Sequence, residues 1–245
     1  TGITPSGEFH IGHLREILTG DMIARAARRA GMNAELVFVV DNADPLRKVY
    51  PFLDDAYEAF IGHQLGSIPA PDAAGKPDWD RYNKEGWTYA DHFLTPFLAA
   101  LKQIGVTPRL LPNLEAYRSG KFSSAARIAC DHPDAVREII ERVSGRELPE
   151  SWFPWQPLDS NGSLDGLTVT GYEFPLVHCT DQHGKSGSSN IEKGEGKLPW
   201  RLDWPAKWGF NAITCEPFGK DHGAAGGSYD TGKELAVLFG HQPPV

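Results

Sequence analysis

The stretch Thr4-Pro5-Ser6-Gly7-Glu8-Phe9-His10-Ile11-Gly12-His13 runs straight into a helical pattern, and the apolar run Leu36-Val37-Phe38-Val39-Val40 follows it. This order of small-residue loop, helix and apolar run leaves few folds open. Small residues let a backbone approach a ligand closely. A helix N-terminus offers unpaired N–H groups and a partial positive charge to an anion. His10 and His13, three positions apart, share one face of the first helical turn. The loop therefore reads as a socket for a polyphosphate. Its histidines are placed to donate hydrogen bonds as charge develops on a departing phosphate.

The rest of the chain supports an α/β reading. Ile11, Leu14, Leu18 and Met22 recur at helical spacing, Arg25, Arg28 and Arg29 suit a helix C-terminus, and Gly31 ends it. Residues 36–40 are apolar throughout and end at Asp41, as in a strand buried on both faces of a parallel sheet. In such sheets the ligand lies off the carboxyl ends of the strands. Further along, residues 66–87 read as a surface loop and residues 89–104 as a helix despite Pro96. Arg109-Leu110-Leu111 reads as a strand, and residues 114–145 as helices with Pro133 in a first turn. Residues 149–196, rich in Gly, Ser, Pro and aromatics, read as an inserted, partly β subdomain with a strand at 167–170. Within it, residues 184–190 read as an insertion loop. Residues 213–218 read as a core strand, 219–222 as a loop, and a helix is expected from about Thr231.

Composition narrows the function classes. Acidic residues outnumber Lys and Arg 32 to 24, for a formal charge of −8, so the chain lacks the basic surface of a protein that grips nucleic acid broadly. A nucleic-acid partner would meet only a small part of it. No apolar run reaches the roughly 20 residues that span a bilayer, so no membrane role is expected. Three scattered cysteines argue against a disulfide scaffold and for a reducing, cytoplasmic setting.

His10-Ile11-Gly12-His13 matches the HIGH motif of class I aminoacyl-tRNA synthetases letter for letter. The wider opening, Thr1 to Glu16, resembles the class I lysyl-tRNA synthetases in particular. So do Asp41-Asn42-Ala43-Asp44 with Arg47-Lys48-Val49, the tryptophan-rich segment Lys197-Leu198-Pro199-Trp200 through Trp208, and Glu216-Pro217-Phe218-Gly219-Lys220-Asp221-His222 through Gly232. The resemblance implies a Rossmann-like nucleotide-binding parallel sheet of the HUP type with an inserted connecting subdomain. It divides the chain into a first Rossmann-like half at 1–65, a helical continuation and surface insertion at 66–148, a connecting insertion at 149–196 and a second half at 197–245.

The implied activity is ATP-dependent ligation of L-lysine to tRNA(Lys), with Mg²⁺ accompanying ATP. Lysine carboxylate attacks the α-phosphorus, pyrophosphate leaves, and the aminoacyl group passes to the tRNA. No protein nucleophile is needed; catalysis is positioning and electrostatics. His10 and His13 are the candidate catalytic residues. Pro5, Ser6, Gly7 and Gly12 complete the first ATP loop: Pro5-Ser6-Gly7 sets a tight turn, and Gly12 leaves room for adenine or ribose. Gly219, Asp221 and His222 form a second, where Gly219 allows approach and Asp221 meets ribose hydroxyls. Gly2 and Thr4 shape the lysine site, and Asp41 and Asp44 could meet an ammonium unless they cap a helix or stay solvated. Trp200 could wall the lysine stem, while Trp204 and Trp208 read as core. Asp203 pairs either with a substrate amine or with Arg201.

Two departures stand out. The second catalytic motif, KMSKS-like, and the anticodon-binding domain do not occur before Val245, and Thr1 begins inside a strand, so the chain reads as a truncated catalytic domain. Family members often carry zinc ligands in the connecting region, where a Cys-x-x-Cys would be strong evidence; here Cys179 with His183, beside His178, is a weak zinc candidate, with an isolated His92 in the earlier insertion. The competing functions are another class I synthetase, an adenylyltransferase that charges no tRNA, or a nucleotide- or tRNA-binding fragment without catalysis.

Overall fold

Three parallel strands carry the first half of the chain in a computed structural model that describes residues 1–245. β1 (Gly2–Ile3) leads through the histidine loop into α1 (Ile11–Arg29), which returns to β2 (Val37–Val40). A long excursion containing α2 (Trp79–Glu85) and α3 (Tyr89–Gln103) then reaches β3 (Arg109–Pro112). The order is β1-β2-β3, with Ile3 opposite Val40 and Val40 opposite Pro112. β2 is central and its Phe38, Val39 and Val40 are buried, as the unbroken apolar run requires. Ile17 and Ala24 of α1, with Phe97 and Leu101 of α3, close over Ile3, Phe38 and Val40. Pro96 is accommodated inside α3, whose start is fixed by a reciprocal Thr88–Asp91 cap.

The expected surface loop at 66–87 is corrected by the structure. Ile68 and Ala70 are buried, and the buried Tyr57 donates its hydroxyl to the Pro69 carbonyl at 2.9 Å. Asp78 caps α2 through the Arg81 N–H, Arg81–Glu85 and Lys84–Asp80 pairs line it, and Gly86 ends it at φ 68°. The high Pro, Gly and Asp content marks caps and bends around a short helix.

The chain divides into two compact units, Thr1–Leu114 and Glu115–Val245. α4 (Asn113–Arg118) spans the division, and α5 (Ser123–Asp131) and α6 (Pro133–Ser144) follow, with Pro133 in the first turn of α6. The next segment is β-rich. β4 (Gln156–Pro157) pairs antiparallel with β8 (Gly196–Lys197), while β5 (Leu167–Glu173), β6 (Leu176–Asp181) and β7 (Ser186–Asn190) form an antiparallel sheet. β7 corrects the expected loop at 184–190: the turn lies at Gln182 and His183, only Gly184 and Lys185 stay outside regular structure, and Ser186 to Asn190 gain strand structure from pairing with β6. α7 (Trp200–Phe210) and α8 (Ser228–Leu238) close the unit. Gly232 of α8 admits the buried Trp208, whose ring would lie 2.7 Å from any added Cβ. The helix thus begins earlier than expected, at Ser228.

The strand expected at 213–218 does not form. Glu216 N–H donates to the Val245 carbonyl at 3.1 Å and Val245 N–H to the Thr214 carbonyl at 3.1 Å, so the backbone pairs with the last residue. Thr214 and Cys215 are exposed, and Pro217 has no N–H for a ladder.

Candidate active site

The histidine loop leaves β1 at the carboxyl edge of the parallel sheet. Pro5 is buried, Tyr89 donates its hydroxyl to the Ser6 carbonyl at 2.8 Å, and Gly7 faces the half-exposed Phe52. His10 is the N-cap of α1. Its Nδ1 accepts from Gly12 N–H at 3.0 Å, and His13 Nδ1 accepts from His10 N–H at 3.1 Å. This is a reciprocal capping box built from imidazoles, a pattern that the spacing of an N-cap and its third helical residue could have signalled.

The cap fixes the chemistry of both rings. A nitrogen that accepts a hydrogen bond keeps its lone pair, so each neutral ring carries its proton on Nε2. Two Nε2–H donors are thereby held on rings stacked 3.9 Å apart. Partial burial first, and the neighbouring His10 second, push His13 below its ordinary pKa and keep it neutral at pH 7. The first turn of α1 holds no acid, so the positive end of the helix dipole is uncompensated. A Cβ on Gly12 would lie 2.8 Å from the His10 ring, so Gly12 makes room for the cap.

Four lysine-site candidates meet at the same carboxyl edge. Thr4 Oγ1 donates to Asp44 Oδ2 at 2.6 Å, and a Cβ on Gly2 would touch Asp41 Oδ2 at 3.4 Å. Asp41 N–H pairs with the Ile3 carbonyl, extending the β1–β2 ladder to the carboxylate. Sequence reasoning missed Asn113, which is 2 % exposed and donates Nδ2 to Asp41 Oδ1 at 3.1 Å. It also missed Asn42, whose Oδ1 accepts from Leu114 N–H at 2.8 Å. Their signal was position: each directly follows a strand of the parallel sheet or its first acid.

The second unit holds the remaining candidates. Gly219, Asp221 and His222 lie in one loop, where a Cβ at Gly219 would sit 2.5 Å from Asp221 Oδ1. The Asp221 carboxylate is exposed, and His222 lies 3.8 Å from it. The His222 ring packs against Trp204 at 5.5 Å and Trp200 at 6.1 Å. Trp200 is exposed, while Trp208 is buried as expected. Glu216 anchors this aromatic floor by accepting from the Trp204 and Trp208 indoles at 3.0 and 2.5 Å.

Asp203 is a correction. It is 2 % exposed and bound to Lys207 at 2.8 Å, to Lys197 at 3.1 Å and to the Tyr117 hydroxyl at 2.5 Å. Burial alone would raise its pKa. Lys197, Lys207 and the Tyr117 hydroxyl outweigh that and hold the carboxyl well below the usual range. Its charge is committed to the two lysines, so neither a substrate amine nor Arg201 is its partner. Cys179 is buried in β6, next to His178 on the opposite face, and no three His, Cys, Asp or Glu side chains converge to hold a metal. No helix is long and apolar enough to cross a membrane.

The family model described as tRNA synthetases class I (K) matches residues 1–245. The chain is 42 % identical over 247 residues to a lysine–tRNA ligase of Thermoplasma acidophilum, covering all of this chain and 46 % of that protein. It is 42 % identical over 248 residues to one of Methanosarcina barkeri, covering 44 % of it, and 42 % identical over 246 residues to one of Archaeoglobus fulgidus, covering 48 %. The chain thus spans about half the length of the curated relatives it matches.

Proposed function

The chain belongs to the class I (K) tRNA synthetase family, and from that premise we propose that it is the nucleotide-binding part of a lysine–tRNA ligase. ATP and L-lysine are its small substrates, Mg²⁺ arrives with the triphosphate, and tRNA(Lys) accepts the lysyl group. The observation that carries this reading is a juxtaposition at one edge of a parallel sheet. Two Asp carboxylates, held by Thr4 and Asn113, follow β2, and the loop that follows β1 carries two imidazoles whose Nδ1 atoms are occupied by backbone N–H groups.

The carboxylates suit the lysine ammonium. The Nε2–H groups of His10 and His13, reinforced by the dipole of α1, suit the triphosphate oxygens that gain charge as pyrophosphate leaves. Pro5, Ser6 and Gly7 shape the loop under the phosphates. Gly219, Asp221 and His222 meet the ribose, and Trp200 walls the lysine stem. Residues 149–196 act as the connecting insertion. A reducing cytoplasm is the setting, which three free cysteines suit.

The test is lysine-dependent ATP–pyrophosphate exchange by the full-length protein, with and without tRNA. Exchange with lysine alone among the amino acids is expected. Exchange driven by another amino acid, or none in the presence of tRNA(Lys), overturns the reading.

A further inference from the structure

Residues 145–155 join α6 to β4 without forming a helix or a strand, a connection longer than those usual in compact units. One side chain organises it. Arg137 of α6 donates Nη1 to the Leu148 carbonyl at 2.9 Å and Nη2 to the Pro149 and Trp152 carbonyls at 2.8 and 3.4 Å. Its guanidinium also lies 5.6 Å from the centre of the Trp152 ring. Glu141, one turn on, accepts from Arg137 Nη1 at 3.2 Å and from the Leu148 N–H at 2.9 Å. The entry to the β-rich segment is thus wrapped around a guanidinium. The exit is tied separately: β8 pairs with β4, Lys197 donates to Asp203, and the Leu198 N–H donates to the Tyr117 hydroxyl.

The Arg137 side chain is 25 % exposed, so water could satisfy these carbonyls in its place, and the net gain in stability is small. Water cannot supply a fixed geometry, whereas a planar fork sets several carbonyls at once. The far end of α6 is held too. Arg142 reaches Glu234 of α8 through both Nη atoms, and the Val143 carbonyl would lie 2.9 Å from a Cβ on Gly226, in the stretch between the 219–222 loop and α8. At the exit, α7 packs Trp200 and Trp204 on His222. The helices on either side of the β-rich segment therefore both reach the stretch that starts with Gly219, Asp221 and His222. We infer that Arg137 is a positioning residue: by clamping residues 148–152 to α6 it sets the angle of the β-rich segment against the 219–222 loop, for a substrate that spans both. Among the substrates of the proposed ligase reaction, on which this inference rests, only tRNA is large enough to do so. The proposed lysine and ATP loops contain none of the residues of the clamp.

The experiment uses the full-length protein with Arg137→Ala and Arg137→Lys. Steady-state aminoacylation gives kcat and the KM values for tRNA(Lys), lysine and ATP, backbone hydrogen exchange reports on residues 148–157, and thermal melting reports on the fold. Arg137→Ala should raise KM for tRNA about tenfold, the equivalent of one charge-assisted hydrogen bond, with KM for lysine and ATP unchanged. Hydrogen exchange at 148–157 should quicken while the melting temperature stays near that of wild type. Arg137→Lys keeps the charge and loses the fork, and should move in the same direction by less. The slope of log KM for tRNA against log salt should be unaltered in Arg137→Ala; a slope shallower by about one would make Arg137 a direct phosphate contact and overturn the positioning role. Equal rises in all three KM values with a fallen melting temperature overturn it as well, because they mark a purely structural role. So does quickened hydrogen exchange with unaltered kinetics. A wild type without lysine-dependent ATP–pyrophosphate exchange removes the ligase reading, while unchanged hydrogen exchange at 148–157 in Arg137→Ala removes the clamp, so the two failures are told apart.

Discussion

The opening loop and helix α7 both carry ionisable residues in signature segments, yet they use them in opposite ways. At the opening loop the titratable groups are tied by short-range bonds that leave one ring nitrogen of each free of the backbone. His10 and His13 give their Nδ1 atoms to the backbone and keep Nε2. In α7 the acid is turned inward: Asp203 and its two lysines are nearly inaccessible, with side chains 3 to 7 % exposed. Of the α7 side chains only Trp200, at its start, is exposed. A charged residue in a signature segment can therefore serve chemistry or serve packing, and the number and kind of its partners separate the two.

The largest expected effect tests the packing side. Asp203→Ala leaves two buried ammonium groups without their acid and should destabilise the unit by about 3–5 kcal/mol. Denaturant unfolding of the protein measures it. A variant as stable as wild type but with a raised KM for lysine would restore Asp203 to the substrate and erase the contrast between the two regions.

The mirror experiment is at the loop. His10→Ala and His13→Ala should each lower kcat for adenylate formation by about 10²–10³-fold, the loss typical of one transition-state donor. The accompanying loss of stability should be only about 1 kcal/mol, that of a helix cap. Pre-steady-state kinetics and unfolding on the same samples separate the two. A large stability loss with unaltered kcat would move the histidines to the packing side.

Gly232→Ala probes how tightly α7 is held from α8. Its Cβ would meet the Trp208 ring at 2.7 Å, and overpacking of this kind costs about 1–3 kcal/mol. Trp208 donates to Glu216, three residues before the 219–222 loop, so indole fluorescence should change together with the melting temperature. A stability loss with unchanged fluorescence would show that the ring does not transmit the strain.

Much of this contrast was legible in the residues. The parallel strand at 37–40 followed from an unbroken β-branched and aromatic run, and α1 from its spacing and its terminal arginines. The place of Asp41 and Asp44 followed from the rule that ligands lie off strand carboxyl ends, while Gly2 and Thr4 came only with the family resemblance. Three features were hidden for physical reasons. The partners of Asp203 include Tyr117, 86 residues away, and no local pattern encodes such a contact. Residues 213–218 have strand composition, but their backbone pairs with Val245. β7 is built from Ser, Gly and Asn, weak strand formers that depend on the β6 edge. Propensity sees none of these because each is decided by a distant neighbour.

The smallest expected effect, and the finest test of the loop, is its pH response. Because partial burial and His10 lower the pKa of His13 below 6.5, the unfolded chain takes up a proton at this residue before the folded chain does. His13 therefore contributes its full share of stability above pH 6.5, and that share is lost as pH falls through its lower folded value. Protonation would place a hydrogen on Nδ1, where the His10 N–H now donates, and would break half of the reciprocal cap. Imidazole NMR should show His13 titrating below 6.5, with the His10 amide shifting along the same curve. In His13→Gln that curve should vanish from the His10 amide, and the decline in unfolding midpoint between pH 7 and pH 5 should become shallower. A His13 titration at or above 6.5, or a His10 amide indifferent to it, would mean that Nδ1 does not accept from the backbone. The outward Nε2–H donor, on which the phosphate role of the loop depends, would then lose its basis.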